Sequence, residues 1–193
     1  MTPLVNVWPH AAVFWLVVLW AYRPEFGVML RARVVVGAQD AGSMGVITVV
    51  LFVGIAAAFA LAYGCPAAAI PAPRGAFWAG VAAVVAASLL RRHCFRMLGE
   101  SFTGAVVVTP RQAIVERGAY RWVRHPSYTA AALMITGLGL ALGNWASFFT
   151  LVVAVSIAYG YRVNVEERAL LATLGDNYRE YMRRTKKFVP FVV

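Results

Sequence analysis

The sequence predicts an all-α integral membrane protein with about five transmembrane helices and a helical cytoplasmic lid at its C-terminal end. Three observations lead to this fold class. Of the 193 residues, 61% are hydrophobic and 13% are charged, whereas about 25% of the residues of a soluble domain are charged. Four long segments contain no Asp, Glu, Lys or Arg, and 17 of the 18 basic residues fall on one side of the resulting helices. The length fits a single domain, residues 1–193.

The first three helices are predicted from charge-free segments in the N-terminal part of the chain. A helix needs about 20 mainly apolar residues to cross a bilayer. The third segment is short, and it reaches a full span if Arg74 extends along the helix to the headgroups. The three predicted spans are residues 4–22, residues 44–63 and about residues 71–90.

A hairpin of two further spans is predicted near the middle of the C-terminal half. Residues 125–161 contain no Asp, Glu, Lys or Arg, and this segment is too long for one membrane helix. Gly143 and Asn144 give a turn signal near its middle. We therefore expect a fourth span at about residues 126–142 and a fifth at about residues 145–161.

The segments outside the spans are predicted to differ from one another. Residues 91–124 are expected to form an irregular segment packed at the membrane surface. The helical pattern of the fifth span continues to Leu174, and Gly175 is a natural helix stop. Asn177, three residues before Glu180, indicates a capping box that opens another short helix. These last helices form the predicted lid.

The basic residues set the predicted orientation. They lie between spans one and two, between spans three and four, and after span five, while Arg74 alone lies opposite. Loops rich in Lys and Arg face the cytoplasm, so we expect the N-terminus outside and the C-terminus in the cytoplasm. Charge-free stretches separate the basic clusters, so the net charge of +10 does not indicate nucleic acid. Cys65 and Cys94 fall on opposite sides without His/Cys spacing, and no metal site is expected.

Two groups of residues are candidates for chemistry. Pro126 suits the first position of the fourth helix and leaves His125 near its cap, where free backbone N–H groups bind carboxylates and phosphates. Taken alone, this feature could also anchor a lipid headgroup. Arg162 and Glu166 share one face of the fifth helix, and taken alone they could form a surface ion pair. Glu167 is turned about 100° away from Glu166, so both cannot easily serve one small pocket.

These groups belong to a longer series of motifs that appears in order from about residue 102 to residue 190. The series consists of Gly118-x-Tyr120-(x3)-Arg124-His125-Pro126-x-Tyr128, the helical hairpin, Arg162-(x3)-Glu166-Glu167, and an ending with Gly175, Tyr178, Tyr181 and Pro190. It resembles the isoprenylcysteine carboxyl methyltransferase family and, more broadly, the phospholipid methyltransferase superfamily. Two positions depart from the family pattern. Ala130 replaces a frequent Gly, and Gln112 replaces the His of a His-x-Leu-Val motif.

The resemblance implies a membrane-embedded methyltransferase that uses S-adenosyl-L-methionine. Residues 91–193 would form its catalytic half, and residues 1–90 would supply the three N-terminal spans. Arg162 and Glu166 match the family positions associated with the catalytic end. The matching cofactor-binding residues are Gln112, Ala113, Ile114, Val115, Tyr120, His125, Pro126, Ser127 and Tyr128.

The expected acceptor is a lipophilic molecule or lipid that enters from the surrounding membrane lipids. A carboxylate of a prenylcysteine-like acceptor is already anionic and needs a cation to place it, for which Arg162 is the candidate. An aminophospholipid would have to lose a proton, and Glu166 could take it. The further alternatives are an NADPH-dependent membrane reductase of the sterol-reductase type and a non-enzymatic membrane binding protein. Against the latter, the spans contain no intramembrane charge of the kind that a charged-substrate pathway needs.

Overall fold

The computed structural model describes residues 2–32, 42–99 and 114–189. These parts of the chain fold into α-helices joined by short turns and 3-10 helices, which confirms the predicted all-α class. The helices are α1 (His10–Ala32), α2 (Ser43–Gly64), α3 (Pro73–Leu98), α4 (Pro126–Ala141), α5 (Trp145–Leu174) and α6 (Asp176–Arg184).

The predicted helix positions agree best where a turn residue marks the boundary. Helix α2 differs from the predicted second span by one residue at each end. The turn at Gly143, with a φ of 71°, separates α4 from α5 as predicted. The side-chain oxygen of Asn144 accepts a hydrogen bond from the Ser147 backbone N–H at 3.1 Å and caps α5. Glycine tolerates this positive φ, and Asn caps the exposed N–H groups, so sequence alone locates the hairpin.

Helices α1 and α3 differ from their predicted spans. Leu4–Asn6 form a 3-10 helix, so α1 begins only at His10, and it continues through Pro24. Helix α3 runs eight residues beyond residue 90, to Leu98, so the start of the segment predicted to be irregular is helical. The charge-free segments show where apolar residues end, whereas a helix continues as long as its backbone hydrogen bonds remain satisfied. Residues 106–109, the apolar part of that segment, lie outside the described residues.

Three helices, α2, α3 and α5, are long and apolar enough to cross a membrane by length and composition. Helix α4 has 16 residues, just below the usual lower limit of about 17. Large apolar side chains on α2 and its neighbours are exposed, and Phe52 reaches 72%. Such a continuous exposed apolar surface is what lipid contact requires. The chain is an integral, multi-pass membrane protein, and the number of five spans stays a prediction.

Close packing at glycines joins α3 to α4 and α2 to α5. A Cβ atom on Gly80 of α3 would lie 2.5 Å from the Gly137 carbonyl oxygen and from the Ala141 nitrogen of α4. Only glycine therefore permits this approach of the two backbones. Between α2 and α5, a Cβ atom on Gly54 would lie 2.6 Å from the Cβ atom of Ala154. These contacts pack α3 against the second half of α4, and α2 against the first half of α5.

The C-terminal segment returns to the start of α4. After α6, the Lys186 carbonyl accepts a hydrogen bond from the Arg124 N–H at 2.8 Å, and the Lys187 carbonyl accepts one from the His125 N–H at 3.1 Å. Tyr178 and Tyr181 of α6 are buried. The predicted C-terminal helical lid is therefore present, but the prediction of a capping box at Asn177 and Glu180 is wrong. Helix α6 begins at Asp176, after Gly175 with a φ of 55°, and has no side-chain cap hydrogen bond.

Candidate active site

Three of the predicted site residues, the buried Arg162 and the half-buried Tyr128 and Glu166, are joined by hydrogen bonds. Arg162 Nε donates a hydrogen bond to the hydroxyl oxygen of Tyr128 at 3.1 Å, and that hydroxyl donates to Glu166 Oε2 at 2.7 Å. Arg162 Nη1 also donates to Ser43 Oγ at 2.6 Å, and Arg162 is only 2% exposed. We call Ser43, Tyr128, Arg162 and Glu166 the Tyr128 cluster. The one-turn spacing of Arg162 and Glu166 places both beside the same tyrosine.

The described contact between Arg162 and Glu166 runs through Tyr128. A simple surface ion pair does not fit this arrangement, because Arg162 is buried and its Nε group donates to a phenol. The Tyr128 phenol accepts a hydrogen bond from Arg162 and donates one to Glu166. The two hydrogen bonds together fix the positions of the three side chains. The cluster thus presents a positioned guanidinium and a positioned carboxylate where the start of α4 meets the second half of α5.

Glu167 faces a different set of residues. Its Oε1 atom accepts a hydrogen bond from Arg124 Nε at 2.9 Å and lies 3.1 Å from His125 Nε2, while Oε2 lies 2.9 Å from Lys187 Nζ. We call Glu167, Arg124, His125 and Lys187 the Glu167 cluster. Arg124 Nη1 also donates to the carbonyl of Met182 at 3.2 Å. The prediction that Glu166 and Glu167 serve different surroundings is confirmed.

His125 stands where the sequence predicts, but its ring is already engaged. It is the N-cap residue of α4, directly before Pro126 in the first position, and it is 4% exposed. The family resemblance implies that His125 is a cofactor-binding residue. In the structure the ring lies against the carboxylate of Glu167. His125 therefore joins the start of α4 to α5, and a direct contact of its ring with a cofactor stays a prediction.

Tyr120 carries a buried hydroxyl whose hydrogen-bonding capacity is unused among the described residues. It lies in the 3-10 helix Gly118–Arg121 and is buried, and its hydroxyl has no hydrogen-bond partner among the described residues. The Tyr181 hydroxyl donates to the Tyr120 carbonyl at 2.7 Å and fixes its backbone. Burial raises the pKa of Tyr120, and the nearby Cys94 thiol and Glu166 carboxylate raise it further. A buried hydroxyl without a partner is costly unless a ligand or water satisfies it.

The remaining predicted cofactor residues differ in burial, and two of them are not described. Pro126 and Ser127 are buried at the start of α4, and Ile114 and Val115 are half-buried. Gln112 and Ala113 lie outside the described residues. In the described ranges, no group of three or more His, Cys, Asp or Glu side chains could hold a metal ion.

Sequence reasoning missed the residues that surround Ser127. Arg91 of α3 donates from Nη1 to the Ser127 carbonyl at 2.7 Å and to Ser127 Oγ at 2.9 Å. Its other side forms an ion pair with Glu25 of α1. Ser43 was missed as well, because nothing in the sequence relates the start of α2 to α5. Glu25 did leave a signal, since it is the first acidic residue of the chain and the next is Asp40.

These observations define the class of protein. It is a multi-pass, all-α membrane protein with buried polar groups gathered at one end of its helices. A model of the isoprenylcysteine carboxyl methyltransferase (ICMT) family matches residues 79–172, which include most of α3 and α5 and all of α4. The family resemblance that the motifs predicted is confirmed over this part of the chain.

Individual relatives agree with the family model. Protein-S-isoprenylcysteine O-methyltransferase B of Arabidopsis thaliana is 30% identical over 115 residues, which cover 58% of each chain. Protein-S-isoprenylcysteine O-methyltransferase of Schizosaccharomyces pombe is 28% identical over 106 residues, which cover 53% of this chain and 44% of that protein. The matched region thus spans about half the length of these curated relatives.

A solved structure shares the fold over nearly the whole chain. The structure of the eukaryotic intramembrane Ras methyltransferase ICMT is similar with a TM-score of 0.66 and 20% sequence identity, over 98% of this chain and 70% of that one. The similarity extends to the N-terminal helices, which lie outside the range matched by the family model.

Proposed function

We propose that this protein is a membrane-embedded, S-adenosyl-L-methionine-dependent methyltransferase that methylates the carboxylate of a prenylcysteine-like acceptor. The observation that supports this function best is the ordered link from Arg162 through the Tyr128 hydroxyl to Glu166, inside the segment that matches the family model. The link holds a guanidinium in a fixed position away from water, as recognition of a carboxylate requires.

The residues present fit the proposed cofactor. Tyr120 supplies a buried hydroxyl that has no hydrogen-bond partner among the described residues. Ser127 places a second buried hydroxyl at the start of α4. Cofactor hydroxyl, ammonium and carboxylate groups need donors and acceptors of these kinds. Tyr120, Ser127 and Tyr128 would hold the cofactor, with Ile114 and Val115 beside its apolar parts.

When bound, the cofactor would supply an electrophilic methyl group carried on a sulfonium. Its sulfur would leave as a neutral thioether as the acceptor oxygen takes the methyl group. Arg162 would orient the acceptor carboxylate and hold it in line for this displacement. The carboxylate oxygen supplies the electron pair for the new C–O bond, so no residue has to remove a proton. Tyr128 would keep the guanidinium of Arg162 aimed, and Glu166 would hold Tyr128.

The surroundings of the site and the names of the relatives support this acceptor class. Exposed apolar side chains on the helices offer a lipid-facing route for a hydrophobic group. The printed names of the relatives refer to a protein-S-isoprenylcysteine. We therefore favour the carboxyl end of a prenylated protein over a free small molecule, with membrane lipids around its isoprenoid part.

The orientation is part of the proposal. The basic clusters support an outside N-terminus, and a cytoplasmic active site and C-terminus. The test uses a protein in which the native Cys65 and Cys94 are replaced by serine, and a cysteine is introduced at Arg183, whose side chain is 78% exposed. This cysteine is expected to react with an impermeant maleimide only after the cytoplasmic side is opened. Labelling of intact cells from the outside would contradict this orientation.

The decisive test measures binding and then turnover. Purified protein in detergent is titrated with S-adenosylhomocysteine and with NADPH, and we expect binding of the first alone. Turnover is then followed with radiolabelled S-adenosyl-L-methionine and an N-acetylated, S-farnesylated cysteine. The matched control is the carboxamide of the same compound, which lacks the anionic oxygen.

The product identifies the reaction. We expect a methyl ester, which alkali cleaves, from the free acid and no product from the carboxamide. Base-stable methylation of phosphatidylethanolamine without ester formation would instead support an amine methyltransferase with Glu166 as the base. Binding of NADPH without S-adenosylhomocysteine would support a reductase, and binding of neither would leave the function without support.

A further inference from the structure

Arg91 of α3 joins α1 to the start of α4. Its Nη2 atom donates to Glu25 Oε2 of α1 at 2.7 Å, and its Nε atom pairs with Oε1 of the same carboxylate. Its Nη1 atom donates to the carbonyl of Ser127 at 2.7 Å and to Ser127 Oγ at 2.9 Å. Within α3, its guanidinium lies 4.7 Å from the ring centre of Phe95.

The division of the guanidinium between two partners has a physical consequence. The Glu25 carboxylate contacts both the Nε and the Nη2 atoms of Arg91, whose side chain is 11% exposed. This two-point ion pair neutralises the charge of Arg91 and fixes the plane of its guanidinium. With the plane fixed, the Nη1 atom of Arg91 is directed at the carbonyl and the hydroxyl of Ser127. Because Ser127 Oγ accepts from Arg91, its own hydroxyl proton remains available for donation elsewhere.

We propose that Arg91, oriented by Glu25, is a positioning residue for the cofactor site at the start of α4. This inference rests on the proposed function, because Ser127 is one of the residues expected to bind the cofactor. Arg91 holds both the backbone and the side chain of Ser127, so it sets where the first turn of α4 stands and where the Ser127 hydroxyl points. Helix α1, far from the family motifs in sequence, thereby contributes to the site.

The neighbouring Arg92 separates this role from simple attachment of α3 to α1. Arg92 Nη2 donates to the carbonyl of Trp20 in α1 at 2.6 Å, and its guanidinium lies 4.6 Å from the ring centre of Trp20. Arg92 therefore also joins α3 to α1, but its described contacts include no residue of α4. If Arg91 serves only to attach α1, variants at the two positions have the same consequences.

The experiment compares Arg91→Lys with Arg92→Lys in the full-length protein. Calorimetry gives the Kd for S-adenosylhomocysteine, and a thermal melt in the same detergent gives the stability. Lys keeps the charge but cannot contact Glu25 with two atoms and Ser127 with a third. We expect Arg91→Lys to weaken binding about tenfold and Arg92→Lys to change it by less than about twofold, with similar decreases in thermal midpoint.

Two further variants test the pathway through Glu25 and Ser127. Glu25→Gln leaves Arg91 in place but weakens its orientation, so we expect a smaller loss of affinity, and this variant serves if Arg91→Lys does not fold. In a double-mutant cycle, Ser127→Ala should weaken binding less in the Arg91→Lys protein than in the wild type.

The results distinguish this inference from the proposed function. Wild-type binding with unchanged affinity in Arg91→Lys and Glu25→Gln overturns the positioning role and leaves the methyltransferase proposal intact. Equal loss of affinity in Arg91→Lys and Arg92→Lys, in proportion to stability, also overturns it. A wild-type protein that does not bind S-adenosylhomocysteine overturns the proposed function and this inference together.

Discussion

Two adjacent carboxylates on α5 lie in opposite kinds of surroundings. Glu167 contacts Arg124, His125 and Lys187, and all of these contacts join α5 to the start of α4 or to the returning C-terminal segment. Glu166 accepts a hydrogen bond from Tyr128, which belongs to the cluster around Arg162. One helix therefore presents a carboxylate surrounded by cations on one face and a carboxylate held by a neutral phenol on the next.

The difference shows how the fold assigns separate tasks to neighbouring residues. A buried carboxylate surrounded by cations is stable only as a complete group, and removal of one member leaves the others without compensation. Such a group suits the attachment of the C-terminal segment. Glu166, whose one hydrogen-bond partner in the described part of the chain is the Tyr128 phenol, keeps acceptor capacity for a ligand. We therefore expect stability to depend on the Glu167 cluster and chemistry to depend on the Tyr128 cluster.

The largest effect is expected from Glu167→Ala. The substitution leaves Arg124 and Lys187 beside an empty position, so the free energy of unfolding should fall by about 3 kcal/mol or more. Chemical denaturation in detergent measures it. Glu180→Ala is the matched control, since Glu180 pairs with exposed arginines of α6 and should cost less than about 0.5 kcal/mol. Equal losses of unfolding free energy in the two variants would show that Glu167 contributes no more to stability than an exposed ion-pair residue.

Arg162→Lys is expected to affect turnover more than any other substitution in the Tyr128 cluster. Lys retains the charge, but it cannot contact Tyr128 and Ser43 in the geometry of the guanidinium. We expect turnover on the carboxylate acceptor to fall about a hundredfold, with little change in the Kd for S-adenosylhomocysteine. Arg168→Lys, at an exposed position of the same helix, is the control. Turnover close to wild type in Arg162→Lys would refute the catalytic assignment.

Tyr128→Phe tests the link itself. Loss of the hydroxyl separates Arg162 from Glu166 while the ring remains against Tyr159 at 5.6 Å between ring centres. We expect about a tenfold loss of turnover and about 1 kcal/mol of stability, the usual contribution of such hydrogen bonds. Steady-state kinetics with a parallel denaturation curve separates the two quantities. A loss of stability without a loss of turnover would mean that Tyr128 only supports packing.

The smallest change in stability is expected from Tyr120→Phe. Its buried hydroxyl has no partner among the described residues, so its removal should leave the thermal midpoint unchanged or raise it slightly. If the hydroxyl binds the cofactor, the Kd for S-adenosylhomocysteine should rise several-fold, by about 1 kcal/mol of binding free energy. A less stable protein with unchanged affinity would show that the hydroxyl serves the fold and not the ligand.

The parts of this molecule that the sequence predicts are those set by local rules. The charge-free segments indicate the membrane helices, because hydrocarbon excludes unpaired charge over about 20 residues. Gly143 and Asn144 locate the hairpin, and Pro126 locates the start of α4 with His125 as its cap. The helical period separates Glu166 from Glu167. Each of these predictions requires only the few residues around the position concerned.

The tertiary structure alone decides which distant residues meet. Ser43 lies 119 positions from Arg162, and Glu25 lies 66 positions from Arg91, separations at which no local pattern operates. The structure also places the His125 ring beside Glu167, a contact that no local pattern around His125 predicts. Composition and period determine where the helices lie and which face each residue occupies. The close approach of helices at glycines such as Gly80 determines which of those faces touch, because packing depends on the shapes of both partners.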